Sequence, residues 1–367
     1  MRAARTDANN QSVSFSYDNL GRLISQTDPL NHSVSFTYDT VGNRLTSTDA
    51  NGHTNSIAYD ALNRPISFTD ANGISGTNGY DAAGNLITST DGLGNTTVTT
   101  YNALNQPIVY RDALGNETTQ AYNARGELVA TTDAEGLVTG YEYDALGRLT
   151  AVLENYKPGF QATAEINVRT EYTYDENGNR LTIKDGNGHT TSFTYDALNR
   201  SVSETDPLNH TWTYIYDALG NRISMTDANG VVTNFEYDDT NHLAVISYQS
   251  SVVSFQYDAG GRRTSMTDSA GTTSWTYSAA NQVTAITDPF NKTVSYGYDA
   301  AGNRTALTYS GNEVSYAYDP GNRLSSVSDQ LSVISYQYDA ANRLTNVTRP
   351  NNVDTAYAYD DASRLLY

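Results

Sequence analysis

The side chains best suited to chemistry are few, and their spacing is regular. His32, His53, His189, His210 and His242 are the only histidines. The first four each follow the Asn or Gly that ends a short D-x-x-G/N stretch, which places them on turns facing solvent rather than converging on a metal. The aspartates of those stretches invite a calcium reading. An EF-hand loop needs alternating acidic ligands and a closing glutamate, and the G-G-x-G-x-D pattern of calcium-binding nonapeptides is absent. One Asp per turn is the ordinary cap of a backbone turn. Ser, His and Asp are spread too evenly to single out a triad, and Asp and Glu too evenly to single out a general acid–base pair. The expectation is no catalytic, cofactor-binding or metal-binding residue, no cofactor and no enzymatic activity.

The totals narrow the class. Of 367 residues 29 are Tyr, against 8 Phe and 2 Trp, with Thr, Asn, Asp, Gly and Ser filling much of the rest. Tyr and Thr suit a pleated, half-buried surface, while Asn, Asp and Gly suit turns. A net charge of −19 argues against nucleic acid, whose binders carry a basic stripe, and against anionic lipid. With no cysteine, disulfides and thiolate metal sites are excluded. No apolar run is long enough for a membrane-spanning helix. The opening MRAARTDANN lacks the apolar core of a signal peptide.

These side chains belong to a repeat. Seventeen tyrosines, Tyr17, Tyr38, Tyr59, Tyr80, Tyr101, Tyr122, Tyr143, Tyr174, Tyr195, Tyr216, Tyr237, Tyr257, Tyr277, Tyr298, Tyr318, Tyr338 and Tyr359, stand 20 or 21 residues apart, with one interval of 31. Thirteen of them open a turn of the form Y-D-x-x-G/N, usually followed by arginine, as at Arg22, Arg44, Arg64 and Arg148, and the other four open a variant of it. Those arginines are expected to neutralise the turn Asp of a neighbouring unit. Eleven residues after the tyrosine comes a second turn, D-x-x-G/N, such as DPLN at 28–31 or DANG at 49–52. An Asp there is expected to accept from backbone N–H groups two or three residues on, with Gly or Asn taking positive φ.

Two turns leave two strands of about six residues per unit. Two places before the tyrosine, 13 of 17 units carry an aromatic residue, among them Phe15, Phe36, Trp275 and Tyr296, with Val or Thr two places earlier and small polar residues between. This period of two gives one aromatic face and one polar face. The fold class expected is all-β: antiparallel hairpins of about 21 residues, paired side by side in a continuous ribbon. About 34 strands at ~4.8 Å would extend on the order of 160 Å, and a twisted sheet that long must coil. A propeller of 42-residue blades is the rival architecture; it lacks a Trp-Asp signature, and seventeen units do not divide into whole blades.

YDALGRLT (143–150), TDPLNHSVSFTYD (27–39) and YDAAGNRTALTY (298–309) resemble the Rhs/YD-repeat family over nearly the whole chain. That family includes bacterial rearrangement-hotspot proteins, cocoon components of insecticidal toxin complexes, wall-associated proteins and teneurin ectodomains. The resemblance implies a hairpin ribbon spiralling into a hollow shell, which in toxin-bearing members encloses a C-terminal effector released by autoproteolysis. Here the repeats run to the last residue.

The expectation is one array of 17 units over 1–367, truncated at both ends, from a surface or secreted protein whose export signal lies elsewhere. Its partners would be an enclosed polypeptide such as a toxin, or flanking regions of the same longer chain. Self-association through uncapped ends into a fibre, and an adhesion module binding glycan or protein, are the alternatives. Three local features stand out. LENYKPGFQATAEINVRT at 153–170 reads as an inserted rim loop, with Tyr156, Lys157 and Phe160 as contact candidates. Asn78, Thr99 and Gln120 replace aromatics and mark a patch of weaker packing. Asn95, Asn116, Asn291 and Asn303 head Asn-x-Thr/Ser sites, relevant only in a glycosylating host.

Overall fold

The turns come first, because every strand in the computed structural model hangs from one; it describes residues 3–161, 163, 165–351 and 353–366. In the turn at Asp18, the Gly21 N–H donates to the Asp18 carbonyl and the Asp18 N–H to the Arg22 carbonyl. Gly21 takes φ 81°, so a type I turn followed by a left-handed residue reverses the chain. Asp18 Oδ1 accepts from the Leu20 and Arg22 N–H groups, both at 2.9 Å. The same pair, two and four residues on rather than two and three, recurs in the second turn at Asp28 with Leu30 and His32. One carboxylate oxygen thus satisfies two N–H groups that the tight loop leaves without ladder partners.

The spacing of the repeat follows from the second turn. A 21-residue interval carries the complete second turn, opened by Asp everywhere but at Arg349. In three 20-residue intervals the hairpin closes over two residues, so Tyr248 pairs with Ser251, Asp268 with Gly271, and Tyr309 with Asn312. In a fourth, the Asp329 N–H reaches the Ser332 carbonyl, one residue sooner than in a complete turn.

The described residues contain no helix, and their strands form one 34-stranded antiparallel sheet with a small additional pair, Ala358–Tyr359 and Leu365–Leu366. Hairpins pair in sequence order: Ser12–Tyr17 with Leu23–Thr27, and Leu23–Thr27 with Ser33–Tyr38. The register shifts by one residue just before the tyrosine, as between Ser16 and Tyr17, a bulge that recurs down the ribbon. The expected two faces are present: in Ser12–Tyr17, Val13, Phe15 and Tyr17 are half-buried and the serines exposed.

Burial is shallow throughout. Among the described residues only Ala151 and Val347 are buried apolar side chains. A single-layer ribbon has no second sheet to pack on, so its stability rests on neighbouring hairpins and not on a deep core.

The chain divides into two compact units, Met1–Val98 with Phe255–Tyr367, and Thr99–Ser254. The second unit holds the inserted loop, between strands Leu149–Glu154 and Val168–Tyr174. Asn167 is its anchor: Nδ2 donates to the carbonyls of Phe160 (2.8 Å) and Lys157 (3.2 Å), and Oδ1 accepts from the Lys157 N–H (2.7 Å). Phe160 is 65% exposed, and the Tyr156 ring lies against Gly140. Residues 162 and 164 of this loop lie outside the described residues. Ala151, 0% exposed, sits between its cross-strand neighbours Glu142 and Glu171, and Arg169 bridges those two carboxylates above it.

Candidate functional site: the YD rim and its seam

The repeat tyrosine reaches back to the hairpin before it. Tyr38 Oη donates to the Leu23 carbonyl at 2.8 Å, and twelve further units repeat that bond to the residue six places after the preceding tyrosine. The accepting residue lies opposite the bulge, as Leu23 lies opposite Tyr17. Phenylalanine would fill the same space and leave that carbonyl without the hydroxyl, which is a physical reason for tyrosine in those units.

Arginine holds the same joint from the other side. Arg22 Nε donates to Asp18 Oδ2 at 2.6 Å, and its Nη1 reaches the Asp39 carbonyl of the next unit, also at 2.6 Å. Its guanidinium lies 4.9 Å from the Tyr38 ring centre, and Arg64, Arg148, Arg200, Arg262, Arg323 and Arg343 repeat the stack on the tyrosine that follows each. The expectation that arginine neutralises a neighbouring unit's Asp is corrected here. The carboxylate it pairs with is its own turn's; the neighbour contributes a carbonyl and a ring. Four residues separate Asp and Arg along one turn, so the short route wins.

Where Asn takes that position, the bond to Asp is kept: Asn43 Nδ2 donates to Asp39 Oδ2 at 2.8 Å and to Asn63 Oδ1 of the next turn at 2.8 Å. In such units arginine moves one residue on and lies between aromatic residues of the other register. Arg180 stands over Tyr172 and Phe193, and Arg222 over Tyr214 and Phe235. These second-position arginines were visible as a mere variation in spacing, and their aromatic partners only emerge from the strand register.

All five histidines occupy this same place, four residues after the turn Asp. His210 Nδ1 is 2.8 Å from Asp206 Oδ2, and His32, His53, His189 and His242 stand 3.1–3.5 Å from theirs. The structure brings each to its own Asp and not to one another. Among the described residues no group of three or more His, Asp or Glu is arranged to hold a metal. Of the polar substitutes in the weak patch, Asn78 donates to the Pro65 carbonyl at 3.3 Å and Gln120 accepts from Tyr122 Oη at 2.7 Å.

Turn carboxylates are held ionised by this geometry. The Arg64 N–H and then its guanidinium keep Asp60 below its ordinary value, and Asp144 and Asp196 have the same pair of causes from Arg148 and Arg200. At Asp49 partial burial pushes the other way, yet hydrogen bonds from Asn322, His53 and Asn51 leave it lowered.

Asn322 introduces the second feature of the site. Inside the first unit, the second-turn rim of the leading segment meets the YD rim of the trailing segment. Asn322 Nδ2 donates to Asp49 Oδ2 and Asn51 Nδ2 to Asp299 Oδ2, both at 3.0 Å. The Gly260 N–H donates to Asn9 Oδ1 at 3.0 Å and the Gly321 N–H to Asn72 Oδ1 at 3.2 Å. Where Ser278 replaces the turn Asp, a cavity of about 370 Å³ opens between Asp28, Pro29, Ala280 and Asn281.

A family model for the teneurin YD-shell matches residues 2–163 and 141–293, and one for the RHS repeat matches 277–314 and 338–366. The chain belongs to the teneurin YD-shell family. Comparison with curated proteins gave no match. Among solved structures, the YD-shell chain is similar to the TcdB2-TccC3-Cdc42 complex, with a TM-score of 0.83 at 16% identity over 98% of this chain and 23% of that one. It is similar also to the Photorhabdus luminescens Tc holotoxin pore, with a TM-score of 0.81 at 16% identity over 98% of this chain and 22% of that one. The chain thus spans less than a quarter of the length of the solved chains it matches. At that identity the likeness establishes the fold: a ribbon of antiparallel hairpins of the shell type. Family and fold together give the YD turns a structural role as the repeated joint of a shell wall.

Proposed function

We propose that this YD-shell segment is a wall element of a longer secreted or cell-surface protein, that it works without catalysis, and that the wall encloses a polypeptide such as a toxin carried in the same longer chain. The observation that supports the reading most is the rim-to-rim contact inside the first unit, where a ribbon one layer thick is joined to itself along its turns. A wall needs such joints; a free recognition module does not. The aromatic ladder points the same way, because arginines stacked on its rings occupy the face that a glycan-binding surface would leave open.

Cryo-electron microscopy of the purified 367-residue chain tests this. A closed, hollow outline built from one chain supports enclosure, and density inside it would show what is held. Rods built from many copies would sink the reading and make the protein a fibre subunit.

A further inference from the structure

The seam has a counterpart in the sequence, at the residue three places after each repeat tyrosine. In the last six units it is Gly260, Ala280, Ala301, Gly321, Ala341 and Ala362. In the first eleven it is Leu or Val at seven positions, and only Ala83 is small. The change to uniformly small residues begins at Tyr257, and the turn it opens is the one that meets Asn9.

The geometry supplies the reason. The Gly260 N–H is shared between its own Asp258 Oδ1 (2.9 Å) and Asn9 Oδ1 (3.0 Å), and Gly321 repeats this with Asp319 (2.9 Å) and Asn72 (3.2 Å). A Cβ at either glycine would fall on the amide of the Asn that docks there. Further along the seam, a Cβ at Gly92 would run into the Ala340 backbone carbonyl, which cannot swing aside as a side chain can. On the leading segment's own YD rim, by contrast, Leu20, Val41 and Leu62 are 73%, 71% and 67% exposed.

We propose that this position decides which YD turns accept an Asp turn. Glycine or alanine admits one; leucine or valine shuts it out. Receptive turns from Gly260 onward meet the first Asp turns of the same chain, and leucine or valine closes seven of the eleven earlier YD turns to a second copy. This goes beyond the wall reading and does not depend on anything being enclosed.

The chain has no cysteine, so a single pair can be introduced cleanly. In an Asn51→Cys/Asp299→Cys background, a short bismaleimide should crosslink the seam within one chain. Adding Gly260→Leu and Gly321→Leu should lower the yield at least about fivefold, with the far-ultraviolet strand signal retained. Adding Ala83→Leu, which puts leucine at the same turn position on the open rim, should leave the yield unchanged. Equal yields in all three proteins, or equal losses in both leucine variants, would overturn the proposal. Crosslinked dimers in the parent would overturn its one-chain part. Should the double leucine variant not fold, Gly321→Leu alone carries the test through thermal unfolding. It should lower Tm in the native chain and not in an Asn72→Ala background, and equal shifts in both would count against the seam.

Discussion

The leading and trailing segments of the first unit use one hairpin for opposite ends of a contact. In the leading segment the second turns are complete, with Asp7, Asp28, Asp49, Asp70 and Asp91 each bonded to the N–H four residues on or to the carbonyl there, and three of the four YD turns carry bulky exposed side chains. In the trailing segment the YD turns are small, and the second turns at 268–271 and 309–312 are shortened to two residues. Backbone and staples are otherwise alike: Tyr59 and Tyr318 both reach an arginine carbonyl, at 3.1 and 2.9 Å. The difference teaches that a repeat can keep its architecture constant and still assign its rims, by adjusting volume at a few turn positions.

The largest effect that would sharpen this contrast is expected at Gly92. Gly92→Ala places a methyl group against a fixed carbonyl. Such overpacking typically costs about 1–3 kcal/mol. Urea unfolding followed by tyrosine fluorescence should show an earlier transition, whereas Ala113→Gly, at the corresponding place in another Asp turn, should shift the midpoint far less. If the two variants behave alike, the seam is not a tight contact.

The staples, being common to both segments, should cost the same in each. Tyr59→Phe and Tyr318→Phe remove one hydroxyl apiece, and a net loss of about 0.5–1.5 kcal/mol per bond is expected by the same urea assay. A clear inequality would mean that the seam reaches beyond the turns into the strands.

Acid should act on both segments through their turn carboxylates. Asp60 on an open rim and Asp319 in the seam are both lowered from 3.8; at Asp319 burial opposes the lowering, and the Arg323 N–H and guanidinium outweigh it. A group lowered in the folded state binds fewer protons there than in the unfolded chain, so its contribution is present above the unfolded value and fades as pH falls through the folded one. Urea midpoints are therefore expected to be flat from about pH 6 to about pH 4 and to fall below that. Asp60→Asn should keep the turn, since Asn102 accepts the same two N–H bonds, and should flatten the acid limb slightly. An acid limb unaffected by Asp→Asn changes would place the acid sensitivity outside the turns.

Much of this was legible in the sequence, because the forces that write it are local. Turn chemistry within five residues fixes each reversal, and an alternation of two fixes each face, so the seventeen tyrosines foretell the ribbon directly. What escaped was set by geometry between units. The partner of Arg22 was misassigned because strand register, not spacing, brings the Asp39 carbonyl and Tyr38 ring to it. The seam joins residues some 250 positions apart, as Asn9 and Gly260 are, and no local rule points there. The run of small residues from Gly260 onward was nevertheless in plain view, as was the 20-against-21 spacing that reports the shortened second turn. Asn167, which ties the inserted loop together, carried no signal beyond being an asparagine in a stretch without a repeat.

The smallest expected effect is the most exposed test of the contrast. Leu20→Ala, Val41→Ala and Leu62→Ala remove apolar side chains that the leading YD rim leaves in water. Substitutions at such places typically stay within about 0.5 kcal/mol, so the urea midpoint of the triple variant should barely move. A bulky side chain kept where it contributes nothing to stability is what exclusion at that rim requires, since its work is to prevent a contact. A marked loss of stability would mean instead that these residues are covered in solution. The open rim would then be an occupied one, and the two segments would differ in partner rather than in permission to pair.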